Sequence, residues 1–137
     1  MSNLVDLEAV HPFDVWGEAV RARKIEGERL TLAVVELAPD ALVPEHVHES
    51  EQIGICIEGR ITFTVDGETR ELGPGGTWRI NSNRPHVARA GPNGAIVIDA
   101  FAPIRSDWQF EPLAPRTPVW PRPEDAERDG PATEPIL

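Results

Sequence analysis

Tyrosine is missing altogether from these 137 residues, cysteine and methionine occur once each, and aromatic residues make up only 6%. A lone cysteine, Cys56, cannot close an intrachain disulfide, so stability must come from a packed core. A chain of this length can supply one, since a single domain of such size buries roughly 65–70% of the surface that its unfolded form exposes. No apolar run approaches the roughly 18–20 residues that cross a bilayer, which argues against a membrane-spanning helix. The opening MSNLVDLEAVHPF has neither the basic start nor the apolar stretch of a signal peptide, and a cytoplasmic protein is expected. Cations are scarce too: 13 Lys and Arg stand against 23 Asp and Glu, a formal net charge of -10. Such a surface repels phosphate backbones and anionic lipid, so neither nucleic acid nor membrane is an expected partner.

Three stretches differ in composition: a lead-in over residues 1–20, a strand-rich body over 21–110 and a proline-rich arm over 111–137 that holds seven of the fourteen prolines. Proline lacks an N–H and resists helix and central strand, so the arm is expected to run extended and not as a second domain, with Trp120 available to pin it. The body alternates apolar and polar residues with period two between closely spaced turn signals, the pattern of an antiparallel sandwich or barrel. Residues 30–37 read as a strand buried on both faces. ITFTV, Asp66-Gly67 and ETREL read as a hairpin with a type I′ turn, with Ile61, Phe63 and Val65 facing the core. Gly73 to Gly76 forces a reversal before Thr77–Ile80, and Asn81 to Pro85 delivers His86 onto HVARA. Ala95 to Phe101 forms a last separate strand, for about nine or ten strands in all.

His46 and His48 are two residues apart, and on a strand such residues point to one face, so both imidazoles can aim at a single point inside a barrel. The surrounding strings are PEHVHESEQIGICIEG and, after the hairpin, ELGPGGTWRINSNRPHVARA. They resemble the two motifs of the cupin superfamily: His-x-His, three or four residues, Glu or Gln, six residues and Gly; then Pro-x-Gly and a later His. Gln52 and Gly59 complete the first; Pro74, Gly76 and His86 complete the second. The resemblance covers roughly residues 30–101. It implies a double-stranded β-helix (jelly-roll) barrel holding one divalent metal ion, Zn, Mn, Ni, Co or Fe, on His46, His48, Gln52 and His86.

Two departures stand out: an amide replaces the usual carboxylate, and the Asn that closes the second motif in many members is missing. Glu51 sits one residue too early, and strand parity favours Gln52 over it. Gly54 would clear space beside the ion, and Cys56 and Trp78 would line the pocket. The same parity leaves Ile53, Ile55 and Ile57 as an exposed apolar stripe that needs cover, so a homodimer is expected.

A carboxylate beside a metal, with an arginine able to clamp a substrate carboxylate, makes an acid/base group with an anchor. Asp99-Ala-Phe101-Ala-Pro103-Ile-Arg105 offers both. The string resembles that of small cupins that open 4,5-unsaturated uronates to linear keto acids. That resemblance implies that Asp99 moves the proton, Phe101 walls the pocket and Arg105 holds the carboxylate. The alternative is an Asp99–Arg105 ion pair that only fixes the chain as it leaves the barrel. Trp16, Trp78 and Trp108 read as core or rim packing, and His11 as a solvated or packing histidine.

The leading expectation is a metal-dependent enzyme that acts on a small oxygenated substrate by Lewis-acid isomerisation, ring opening or lyase chemistry. An Fe(II) dioxygenase, a polyketide cyclase and a non-catalytic binding or sensor cupin are the alternatives. Absence of tyrosine argues against the thiol dioxygenases, which usually employ one. No helix-turn-helix segment accompanies the barrel, which weakens a transcription-factor version of the sensor.

Overall fold

Two long strands organise the chain, and each bends so that its two halves serve different sheets. In the computed structural model, which describes residues 2–127, the strands are β1 Phe13–Asp14, β2 Val20–Glu26, β3 Thr31–Leu37, β4 Leu42–His46, β5 Glu51–Val65, β6 Glu68–Leu72, β7 Thr77–Ile80 and β8 His86–Ala102. The first halves of β5 and β8 are not side by side; the pairing is antiparallel, so Gln52 lies opposite Phe101 and Val65 opposite His86. One sheet runs β1-β2-β3, then the late part of β8, the early part of β5 and β7. The other runs β4, the early part of β8, the late part of β5 and β6. This is the all-β jelly-roll barrel expected of a cupin.

The bends have local causes. Pairing jumps from Ile61–Ala90 to Gly59–Ala95, so residues 91–94 bulge out of a strand that otherwise continues. Gly59 sits there at φ +77°, and a Cβ on it would lie 2.1 Å from the Gly94 carbonyl oxygen. HVARA and Ala95 to Phe101 are therefore halves of one strand, and eight strands are present among the described residues, not nine or ten. The hairpin forms as expected: Val65 pairs with Glu68 across Asp66 (φ 50°) and Gly67 (φ 79°).

Inward faces of the two sheets make the core, with Ala33, Val35, Leu37, Ile61, Phe63 and Val97 among its members. β3 is fully buried on that face; on the other, Val34 is buried but Leu32 is 38% exposed and the neighbouring Leu30 51%, so burial of both faces holds only at the middle of the strand. Ile53 is 57% and Ile55 36% exposed, while Ile57 is half-buried, which leaves the apolar stripe of β5 on the outside.

Beyond Phe110 the described part of the arm contains no strand and one short helix, α1 Pro123–Glu127. It lies along the barrel: the Leu113 N–H donates to the Pro12 carbonyl and the Val119 N–H to Glu36 Oε1. The final ten residues, with Pro131 and Pro135, lie outside the described residues. No helix among the described residues is long and apolar enough to cross a membrane.

Candidate metal centre

β4 and β8 bring His46 directly opposite His86, and His48 follows two residues later, just past the end of β4. The ring centroids are 4.2 Å apart for His46 and His86, 4.8 Å for His48 and His86, and 5.4 Å for His46 and His48. One nitrogen from each ring lies within 4.8 Å of the others, close enough for the three to hold a metal ion.

Backbone carbonyls decide which nitrogen that is. Nδ1 of His46 donates to the Pro44 carbonyl at 2.8 Å, Nδ1 of His48 to that of Ser50 at 2.7 Å, and Nδ1 of His86 to that of Arg84 at 2.8 Å. A carbonyl only accepts, so each Nδ1 carries the hydrogen and each Nε2 turns a lone pair inward. Burial, which disfavours an imidazolium, holds all three rings below the usual histidine range, His86 at about 4, and the positive charge of Arg105 acts in the same direction.

Two features then suit a cation. His86 Nε2 is buried without a hydrogen-bond partner among the described residues. Gln52 Oε1 lies 3.2 Å from His48 Nε2, an approach of two acceptors when His48 is neutral. The amide cannot relieve this by flipping, because Gln52 Nε2 donates to Asp99 Oδ1 at 2.9 Å. Orphaned and opposed lone pairs on borderline donors suit a divalent transition metal.

Strand parity places Gln52 inside at 6% exposure and leaves Glu51 exposed. Across β7, β5 and β8 the next inward row is Trp78, Gly54 and Asp99. Trp78 Nε1 donates to Asp99 Oδ1 at 2.7 Å, passing over Gly54, where a Cβ would lie 2.2 Å from both partners. Gly54 thus makes room for this hydrogen bond. Oδ1 of Asp99 takes two donors, while Oδ2 has no hydrogen bond among the described residues and the residue borders the internal cavity. Burial pushes the Asp99 carboxyl up to about 6 against the opposing effect of its two donors and of Arg105.

Arg105 does not pair with Asp99. Its Nε and Nη2 donate to Asp107 Oδ1 and Oδ2 at 2.9 and 2.8 Å, and its guanidinium carbon lies 4.7 Å from the Phe101 ring centroid and 4.4 Å from that of Trp108. The ion-pair alternative of Asp99 with Arg105 is therefore replaced by a pair only two residues apart in sequence. The fork leaves the Nη1–Nη2 edge free for a second planar anion.

His46, Gln52, His86, Asp99, Phe101 and Arg105 border one cavity. Gly54, Cys56 and Trp78, expected in the pocket, do not border it. Trp78 stands behind Asp99, and the Cys56 thiol is buried against the carbonyls of Glu58 and Gly59. Trp16, from the lead-in, does border it, 38% exposed with its ring 5.2 Å from that of His46. Pairing of β1 with β2 and packing of Phe13 on Trp108 bring the lead-in there, and no local pattern announces it.

Residues 33–99 match the cupin domain family Cupin_2. With the jelly-roll topology and the three-histidine cluster, this identifies the matched body of the chain as a cupin domain. Among cupins it resembles the pectin degradation protein KdgF of Dickeya dadantii (strain 3937), with 26% identity over 99 residues, 71% of this chain and 90% of that one. The solved structure of KdgF from Halomonas sp. superposes with a TM-score of 0.65 at 27% identity, covering 71% of this chain and 92% of that one. The polyketide cyclase RemF from Streptomyces resistomycificus gives a TM-score of 0.65 at 27% identity, covering 75% and 80%.

Proposed function

We propose that this cupin is an enzyme in which His46, His48, His86 and Gln52 hold one divalent metal ion and Asp99 moves a proton on a small oxygenated substrate. The observation that carries this reading is the convergence of orphaned lone pairs, His86 Nε2 above all, beside a carboxyl with one free oxygen. When bound, such an ion supplies Lewis acidity, polarising a substrate oxygen. Trp78 and Gln52 hold Asp99 Oδ1, so Oδ2 is the atom that takes and returns the proton. With a carboxyl pushed up to about 6, Asp99 is a base whose conjugate acid can still give the proton back near neutrality. Arg105 offers its free edge to a substrate carboxylate, and Phe101 walls the space between.

Isomerisation, ring opening and lyase chemistry all use this proton transfer, and likeness to the pectin degradation protein KdgF and to the solved KdgF structure supports that class. Asp99→Asn tests it. The amide can accept the same two hydrogen bonds through Oδ1, so metal content and fold should persist while turnover falls by about two orders of magnitude or more. Unchanged turnover would remove Asp99 from the mechanism.

We also propose a homodimer that covers the outer face of β5, on the ground that Ile53 and Ile55 are exposed side by side on one face.

A further inference from the structure

The polar groups that remain available in the cavity are few. Gln52 is engaged at both ends, all three histidine Nδ1 atoms are bonded to the backbone, and Asp99 Oδ1 has two donors. That leaves the ion's open positions, Asp99 Oδ2, the Nη1–Nη2 edge of Arg105 and the indole N–H groups of Trp16 and Trp108, which can donate but not accept. Most of the remaining lining is aliphatic or aromatic, with Val35, Leu37, Val43, Ile61, Phe63 and Val97 across the two sheets. No serine, threonine, asparagine, lysine, glutamate or tyrosine side chain borders the cavity among the described residues.

From this inventory we infer that the substrate is a monocarboxylate with an apolar body, aryl or branched alkyl, carrying at most one or two further oxygens, and is not a polyhydroxylated sugar acid. The inference rests on the proposed enzyme reading and narrows its substrate. A uronate brings a carboxylate, a ring oxygen and several hydroxyls. Arg105 takes the carboxylate and the ion takes one oxygen or two; the remaining hydroxyls would face mostly valine, leucine and phenylalanine, with only Asp99 Oδ2 to accept a hydrogen bond and two indole N–H groups to donate one. A hydroxyl-poor carboxylate loses nothing there and gains the burial of its body. Trp108 and Phe101, packed edge to face against each other with ring centroids 4.4 and 4.7 Å from the Arg105 guanidinium carbon, continue the apolar wall up to the anion-binding edge. Arg105 can thus hold the charged end of a ligand whose other end is surrounded by carbon.

Calorimetric titration of the full chain, loaded with zinc and again stripped of metal, compares phenylacetate and 4-methylpentanoate with galacturonate. The two apolar acids should bind at least about tenfold more tightly than galacturonate in both forms, because the preference comes from the lining and Arg105. Arg105→Gln should weaken both apolar acids by about tenfold or more while leaving 2-phenylethanol, which has no carboxylate, within about twofold. Galacturonate binding as tightly as phenylacetate, or no binding of either apolar acid, would overturn the inference. A failure of the enzyme reading looks different: it would show as Asp99→Asn retaining turnover, with the order of the ligands unaffected.

Discussion

Asp99 is held by two residues that approach it from different strands, and the smallest residue of the row makes the arrangement possible. Gly54→Ala would put a Cβ 2.2 Å from both Asp99 Oδ1 and Trp78 Nε1, so the hydrogen bond between them must break or the strands must part. The expected cost is about 1–3 kcal/mol, read as a lowered denaturation midpoint, together with lost turnover. A variant as stable and active as the parent would contradict this role for Gly54. His86→Ala removes the one buried side-chain lone pair without a hydrogen-bond partner among the described residues, and metal content should fall well below stoichiometric while the barrel stays folded by circular dichroism. Retained stoichiometric metal would exclude His86 as a ligand. At this scale the sequence is readable where parity or a known string applies: Gln52 turns inward and Glu51 outward as alternation requires. It is silent on partners set by register. That Trp78 meets Asp99 follows from β7 and β8 flanking the same glycine, and that Arg105 turns to Asp107 follows from the path of the chain after Ala102.

Alternation along β5 sorts its early residues into an inward face, Gln52, Gly54 and Cys56, and an outer face, Ile53, Ile55 and Ile57. The proposed dimer predicts that a charge on the outer face separates the subunits without touching the cavity. Ile53→Glu should shift the protein from dimer to monomer mass in light scattering while metal content stays unchanged, and a parent chain that is already monomeric would remove the proposal. Hairpins announce themselves through turn chemistry, as Asp66-Gly67 does. Residues 91–94, Gly-Pro-Asn-Gly, have the composition of a turn, yet the segment is a bulge that β8 survives, because β5 bends alongside it at Gly59. Two long bent strands cannot be read from a local window, since each half looks like a strand by itself.

Arg23 joins parts of the molecule that lie far apart in sequence. Only 2% exposed, it donates to the Val10 carbonyl in the lead-in at 3.2 Å, to Glu36 on β3 at 3.2 Å and to the Arg116 carbonyl in the arm at 2.9 Å. Arg23→Ala would leave these acceptors without their donor, at a cost of about 2 kcal/mol or more, so its melting temperature should fall by several degrees. An unchanged melting temperature would mean that water replaces the guanidinium without loss. Composition pointed to an arm at the proline-rich end, but its hold on the barrel depends on an arginine in β2 that no sequence pattern links to it. The cavity is likewise a property of the whole chain, since lead-in, both sheets and the segment after β8 all contribute to its wall. Metal content therefore tests the account most directly, measured by mass spectrometry on untagged protein purified without chelators. About one equivalent of a divalent transition metal per chain is expected; protein that arrives metal-free and takes up none when zinc, nickel, manganese, cobalt or ferrous iron is offered would rule out the metal centre.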